Sequence, residues 1–472
     1  MSLINKKLSN MKKFKNLTKI TALFAFAFLA FSCSDDDDNS PVATLPETIT
    51  ELAVATPELS ILVDALTIAD LAATLDQPGS YTVFAPTNAA FTAFLAQNNI
   101  PSLNDVPVDV LTQILLNHVI VGENASTSLS TGYVSTLATQ SNSDLNLSMF
   151  VDTSNGVRLN GVSSVAIPDI DATNGIIHVV DAVIGLPTIV DQALANPAFS
   201  SLVAALSAAD GNLVSVLSGE GTFTVLAPDN DAFATFLNGA ALGDVPTDAL
   251  ANILLNHVLG SVVTSTDLVG AGAGYTSTLA SGPGMSNLSL YFNTTEGVRF
   301  NGVSSVAAAD VVTTNGIIHA IDAVIPIPSV VTFAVADPNF STLVTALTTL
   351  TPATDFATIL SNPEGLFTVF APTNAAFEAL ASIPGESVLT QVLLHHVIGD
   401  ANVRSGDLTP NGNTVAPSLE GDNLTISLPG SGNNIANMTD GSGNSDIGIV
   451  AVDVQAGNGV IHVINKVAIP TI

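Results

Sequence analysis

Three short segments recur in the same order three times along this chain, and no other property limits its fold so strongly. "TVFAPTNAAF" at residues 82–91 returns as "TVLAPDNDAF" at 224–233 and as "TVFAPTNAAF" at 368–377. "LLNHV" at 115–119 returns at 254–258 and, as "LLHHV", at 393–397. "NGIIHVVDAVI" from Asn174 returns from Asn315 and, as "NGVIHVINKVAIP", from Asn458. A period of about 140 residues is too long for a solenoid unit and suits a whole domain. The expected organisation is therefore three tandem domains, 46–187, 188–328 and 329–472. The connections "IGLPTIVD" and "IPIPSVVT" carry prolines and run at once into the next repeat, which predicts a semi-rigid row.

Within a repeat the pattern changes from helix to strand. An Ala/Leu-rich helical stretch (residues 48–75 in the first repeat) precedes a β-rich "YTVFAPT". A second helix starts near Asn88, with Thr87 or Asn88 as its cap. A third runs through "VPVDVLTQILLNHVI", with Pro107 in its first turn. The second half is strands. In "LNLSMFV", Leu145, Leu147, Met149 and Val151 alternate with the period of a half-buried strand. "SNG" and "LNG" then mark tight turns. The class expected is α+β.

Composition decides which partners are excluded. The chain has 10 basic residues against 41 acidic ones, a formal charge of −31. Six of the ten (Lys6, Lys7, Lys12, Lys13, Lys15 and Lys19) lie before residue 33, so the remainder sets 4 against 41, a formal −37. Such a charge repels phosphate backbones and excludes nucleic acid as a partner. It favours solubility and opposes close self-packing, so a monomer or weak self-association is expected. Bound cations or a salty medium would offset it.

Residues 11–33, "MKKFKNLTKITALFAFAFLAFSC", have a basic start, an apolar run from Ile20 to Phe31 and small Ser32 and Cys33. The run is too short to span a bilayer and reads as a secretory signal, with Met11 as an alternative start. Cys33 is the only cysteine, so no intramolecular disulfide exists. Its place resembles the lipid-modified cysteine of bacterial lipoproteins, which implies a membrane anchor. "SDDDD" after it resembles the acidic tag of outer-surface lipoproteins. Residues 34–45 have the polarity of a flexible tether.

"TVFAPTNAAF", "LLNHV" and "NGIIHVVDAVI" resemble the conserved segments of the fasciclin domain family. The match covers nearly all of the chain after residue 46. It implies, for each repeat, a wedge-like β-sandwich with several helices packed along it. It also implies an adhesion role outside the cell or at its surface, without enzymatic activity.

All seven histidines lie in two of the motifs: His118, His257, His395 and His396 in the helical one, His178, His319 and His462 in the strand one. Leu111, Ile114, Leu115 and His118 follow helical spacing, so His118 lies on the apolar stripe; His257 and His396 repeat this, and His395 falls off it. On the strand, His178 shares an apolar face with Ile176 and Val180. The reading is a buried neutral imidazole bonding backbone groups where the chain bends. The competing readings are a transition-metal site and a catalytic base. The former lacks HxH or HExxH spacing; the latter lacks a GxSxG elbow and a cysteine in the folded part. Asp181 and Asp322 lie three residues past their histidine, on the opposite strand face, and the third repeat has Asn465 there. No catalytic residue, metal or cofactor is expected.

In the animal members of the family this chain resembles, the segment around the helical histidine, with a neighbouring Tyr, is implicated in receptor binding. Asn117, Asn256 and His395 stand there, so that binding is not carried over. Arg158 and Arg299 occupy matching sites; each pairs with a carboxylate or offers a positive spot as a surface contact. "GSGNNIANMTDGSGNSDIG", residues 430–448, reads as a longer loop of the third repeat and a candidate binding loop. The partner expected is an unnamed extracellular protein or glycan. The alternative is a ligand- or polysaccharide-binding surface lipoprotein serving nutrient capture.

Overall fold

The computed structural model describes residues 47–141 and 143–471. The signal segment, Cys33 and the acidic tether lie outside these residues. Domain 1 sets the pattern. Helices α1 (Ile49–Ala55), α2 (Ser60–Ile68) and α3 (Ala72–Leu75) precede β1 (Tyr81–Pro86). Next come α4 (Asn88–Gln97), α5 (Val108–Leu116) and β2 (Val119–Val121). Strands β3 (Gly132–Thr139), β4 (Asn146–Asp152), β5 (Arg158–Leu159), β6 (Ser163–Ala172) and β7 (Gly175–Val180) complete the domain.

The helical stretch before β1 is three helices and not one. Thr56 and Pro57 end α1, because proline cannot continue a helix and restricts the residue before it. Asp70, at φ 54°, separates α2 from α3. Thr87 caps α4 by accepting from the Ala90 N–H. Pro107 stands at the N-cap of α5, one position earlier than its spacing predicts.

The seven strands form one sheet in chain order, and β7 returns parallel to β1, closing the ring in domains 1 and 2. The β1/β7 pair is buried on both faces. Val83, Ala85, Ile177 and Val179 face the helices, while Phe84 and Val180 fill the interior between the sheet halves with Met149, Val151 and Leu159. A parallel pair at the centre of a domain is expected to be apolar on both sides. The α+β class thus takes the form of a sheet folded around one core, with helices packed over a second.

The strand read as half-buried departs from expectation. All residues from Leu147 to Val151 of β4 are buried, Ser148 and Phe150 included. The reason is the neighbouring domain. Gln192, on the first helix of domain 2 (Ile189–Ala195), donates to the Ser148 carbonyl at 2.6 Å. The Val312 N–H donates to Ser148 Oγ at 3.0 Å, and Gln140 Nε2 donates to the Thr313 carbonyl at 2.7 Å. Asn196 donates to the Tyr133 hydroxyl, whose pKa burial pushes up to about 12.

Domain 2 docks on domain 3 through the same positions. Gln455 N–H donates to Ser289 Oγ at 3.0 Å, Tyr275 OH donates to Asp337 at 3.0 Å, and the Tyr275 ring meets Phe333 edge-on at 5.7 Å. Tyr291 is part of the domain 3 core. In domain 3 the aromatic pair is replaced by Asn413 and Ser427, bonded to each other at 2.9 Å, and the strand Asn423–Ser427 alternates as a half-buried strand should. That face of domain 3 is polar. Tyr275→Ala should cost about 2–3 kcal/mol, by the usual scale of large-to-small changes. Scanning calorimetry should then resolve the unfolding of domains 2 and 3 into separate transitions; an unchanged thermogram would contradict this coupling.

Candidate functional site

The "NGxIH" turn is built by three residue types with separate tasks. Asn174 Oδ1 accepts from the Ile49 N–H at 2.9 Å, and its Nδ2 donates to the carbonyls of Leu75 and Gln77. One buried side chain thereby ties the start of α1 and the end of α3 to the last strand. Asn315 and Asn458 repeat this with Ile189 and Val330. The glycine lets two backbones approach: a Cβ on Gly175 would lie 2.0 Å from the Tyr81 carbonyl oxygen. The histidine then enters the core.

His178 is fully buried and stacks on Phe84 with ring centres 5.5 Å apart. Its Nε2 donates to the Asn124 carbonyl at 2.9 Å, and its Nδ1 accepts from the Asp169 N–H at 3.1 Å. A bulge in β6 makes the second contact possible, because Asp169 takes a left-handed φ of 59° there. His319 repeats both bonds with Val263 and Asp310. His462 keeps the bond to the Val403 carbonyl, but its Nδ1 has no partner among the described residues. Burial lowers the pKa of His319 and His462.

The helical histidine lies just beyond its helix and not within it. His118 Nδ1 folds back to donate to the Ile114 carbonyl at 2.7 Å, one of the groups a helix end leaves free. Its Nε2 accepts from the Ile184 N–H at 2.9 Å, where the chain leaves the domain. His257 and His396 do the same with Ile253 and Ile325, and with Val392 and Ala468. Burial depresses all three to about 4, against backbone bonds that raise them. Each ring is a neutral linchpin, with no free lone pair for a metal or a substrate proton.

The aspartates three residues past the strand histidines serve the backbone. Asp181, Asp322 and, in domain 3, Asn465 accept from the N–H of Ser164, Ser305 and Gly448. The acidic residues that do adjoin the histidines, Asp169, Asp310 and Asp453, escaped the sequence reading because the bulge is invisible to a period-2 pattern. Their carboxylates accept from Ser126, Ser265 and Ser405.

The arginines are resolved differently from each other. Arg299 Nη2 donates to the Gly302 carbonyl at 3.0 Å, so its partner is backbone and not the expected carboxylate. Arg158 is exposed and pairs across the β4/β5 ladder with Asp152. That carboxyl is held low by hydrogen bonds from Ser154 first and by Arg158 last. The segment 430–448 is likewise no single loop. Ala436–Thr439 forms a strand, and Asp440 pins the turn after it by accepting from Asn444, Ser442 and Ile469.

One cluster was missed altogether. His395 stands where Asn117 and Asn256 bond the segment by which the chain leaves the domain, and it is buried beside Glu420 and Asp422. A histidine replacing asparagine in one repeat of three was the available signal. Ligand geometry is present, but the Gly441 N–H donates to His395 Nε2 at 3.0 Å. The proton therefore sits on Nδ1, which faces Ser418 at 3.2 Å and Glu420 at 3.3 Å. With both nitrogens engaged, the group suits a histidine–carboxylate pair and not a metal ligand set.

A family model described as "Fasciclin domain" matches residues 57–187, 197–328 and 338–470. The first helix of each domain precedes these matches, yet is bonded to its own domain through Asn174, Asn315 or Asn458. The chain is 28% identical over 439 residues to transforming growth factor-beta-induced protein ig-h3 of Sus scrofa, covering 91% of this chain and 58% of the relative. It is 39% identical over 137 residues to an uncharacterised protein of Synechocystis sp., covering 29% of this chain and 96% of that one. A solved structure of a FAS1 domain pair from the insect cell adhesion molecule Fasciclin I matches at 21% identity and TM-score 0.36, over 57% of this chain and 96% of that one. The chain spans about half the length of the animal relatives it matches.

Proposed function

The chain belongs to the fasciclin domain family, and from that premise we propose that it is a non-enzymatic, secreted adhesion protein held at a bacterial outer surface by a lipid on Cys33. The observation that carries this reading is the docking of three alike domains through the same positions. Contacts too weak to hold singly gain strength when a fixed spacing presents several at once. The motif histidines support the non-enzymatic part, since they are buried and hydrogen bonds occupy both ring nitrogens of each except His462. The strong negative charge favours a partner that is neutral or basic, an extracellular protein or a glycan.

Deleting the gene should lower attachment to cells, matrix or polymer several-fold, and the wild-type gene should restore it. Unchanged attachment would overturn the adhesion reading. Cys33→Ser should release the protein into the medium; retention on the cell would remove the anchor from the proposal.

A further inference from the structure

The three domains share one apolar space between their first three helices and the β1/β7 pair. In domains 1 and 2 every residue lining it is buried. In domain 3 the space is larger than in the other two and reaches solvent. Its floor is Val369, Ala371 and Ile461 of the sheet, and its lip includes exposed Val335 and Ala357. The cause is legible in the chain. Thirteen positions separate Leu347 from Leu360, against eleven from Leu206 to Leu217 and nine from Leu66 to Leu75. The longer connection joins the second helix of domain 3 (Ser341–Thr348) to the third (Phe356–Leu360). Leu347 is then only partly buried, whereas Leu206 and Leu66 are 7% and 5% exposed. Ala357 also stands where domain 2 has the bulkier Val214.

We propose that this crevice is a binding site for one hydrocarbon chain of a free, single-chain amphiphile with an uncharged head. The lining is hydrocarbon throughout apart from Thr348, whose hydroxyl donates to the Val344 carbonyl at 2.8 Å. A peptide segment would bury backbone groups with nothing to bond, at a cost an alkyl chain does not incur. The exposed lip at Val335 and Ala357 leaves the head in water. A carboxylate head would meet a chain of net charge −31. This inference does not depend on the adhesion reading.

The test is a titration of the full chain with N-phenyl-1-naphthylamine, an uncharged apolar fluorophore, followed by displacement with dodecanol or laurate. One saturable site per chain is expected, with dodecanol displacing the probe at least tenfold more effectively than laurate at pH 8. Ala357→Phe, at an exposed position, and Ala334→Phe, deeper in the crevice, should each weaken binding at least tenfold. Ala357→Phe should do so with an unchanged melting temperature. No saturable binding, three equivalent sites, or full binding in both variants would overturn the proposal. Equal displacement by laurate would overturn the uncharged head. Flotation with neutral phosphatidylcholine vesicles that Ala357→Phe abolishes would make the occupant a bilayer lipid and overturn the free amphiphile.

Discussion

Gly316→Ala is expected to unfold the middle domain at ambient temperature. A Cβ there would stand 2.1 Å from the Phe223 carbonyl oxygen and 2.9 Å from Ile189 Cδ1. Phe223 is the register partner of Gly316 in the parallel ladder, so relief requires separating the two central strands. A clash with backbone cannot be relieved by a rotamer change. Single substitutions of this kind exceed about 4 kcal/mol, a large part of the ~5–15 kcal/mol that holds a domain. The loss should spread, because domain 2 covers Ser148 and Phe150 of domain 1 and supplies Tyr275 and Tyr291 to domain 3. Hydrogen exchange should show residues 223–321 unprotected, with β4 of domain 1 exchanging faster than in the parent. A melting temperature within about 2 °C of the parent would show that the approach is not as close as described, since 1 kcal/mol already moves such a domain by several degrees.

Mild acid should destabilise all three domains before carboxylates are protonated. His118, His257 and His396 have folded pKa values near 4 against an ordinary 6.5. Because the folded value is depressed, the full stability is present above pH 6.5 and is lost as pH falls toward 4. The unfolded chain takes up a proton there that the folded chain refuses. The loss is about 2 kcal/mol per histidine by pH 5 and about 3 kcal/mol by pH 4. His319, His395 and His462 are lowered too and act in the same sense. Denaturant midpoints measured from pH 8 to pH 4.5 should fall steadily below pH 6.5. The variant His118→Gln/His257→Gln/His396→Gln should start lower at pH 8 and show a flatter slope. A parent curve without slope between pH 6.5 and 5 would contradict the neutral, locked imidazoles.

Much of the fold could be read from particular residues. Thr87 announced the cap of α4, and the Leu111–Ile114–Leu115 spacing announced the buried face of α5. The Asn-Gly pairs announced their turns: Asn160 and Gly161 both take positive φ in the three-residue link between β5 and β6. What escaped was set by partners far away in sequence. His118 was placed on a helix because spacing alone cannot tell the last turn from the residue that caps it. Asp169 stayed hidden because a bulge adds one residue to a strand and inverts the face of everything after it. Arg299 was matched to a carboxylate on charge, yet a carbonyl three residues on was nearer.

The amino-acid sequence by itself determined the number of domains, the order of their elements and the inward direction of the motif histidines. These follow from local periodicity and repetition, which any copy of the motif carries wherever it stands. Only the tertiary structure decided which face of β4 is covered, why Asn174 precedes Gly175, and why domain 3 alone opens a crevice and gathers His395 with Glu420 and Asp422. Those properties depend on contacts between residues often a hundred or more positions apart. A repeat's own pattern reports how it buries itself, and not what its neighbour will bury.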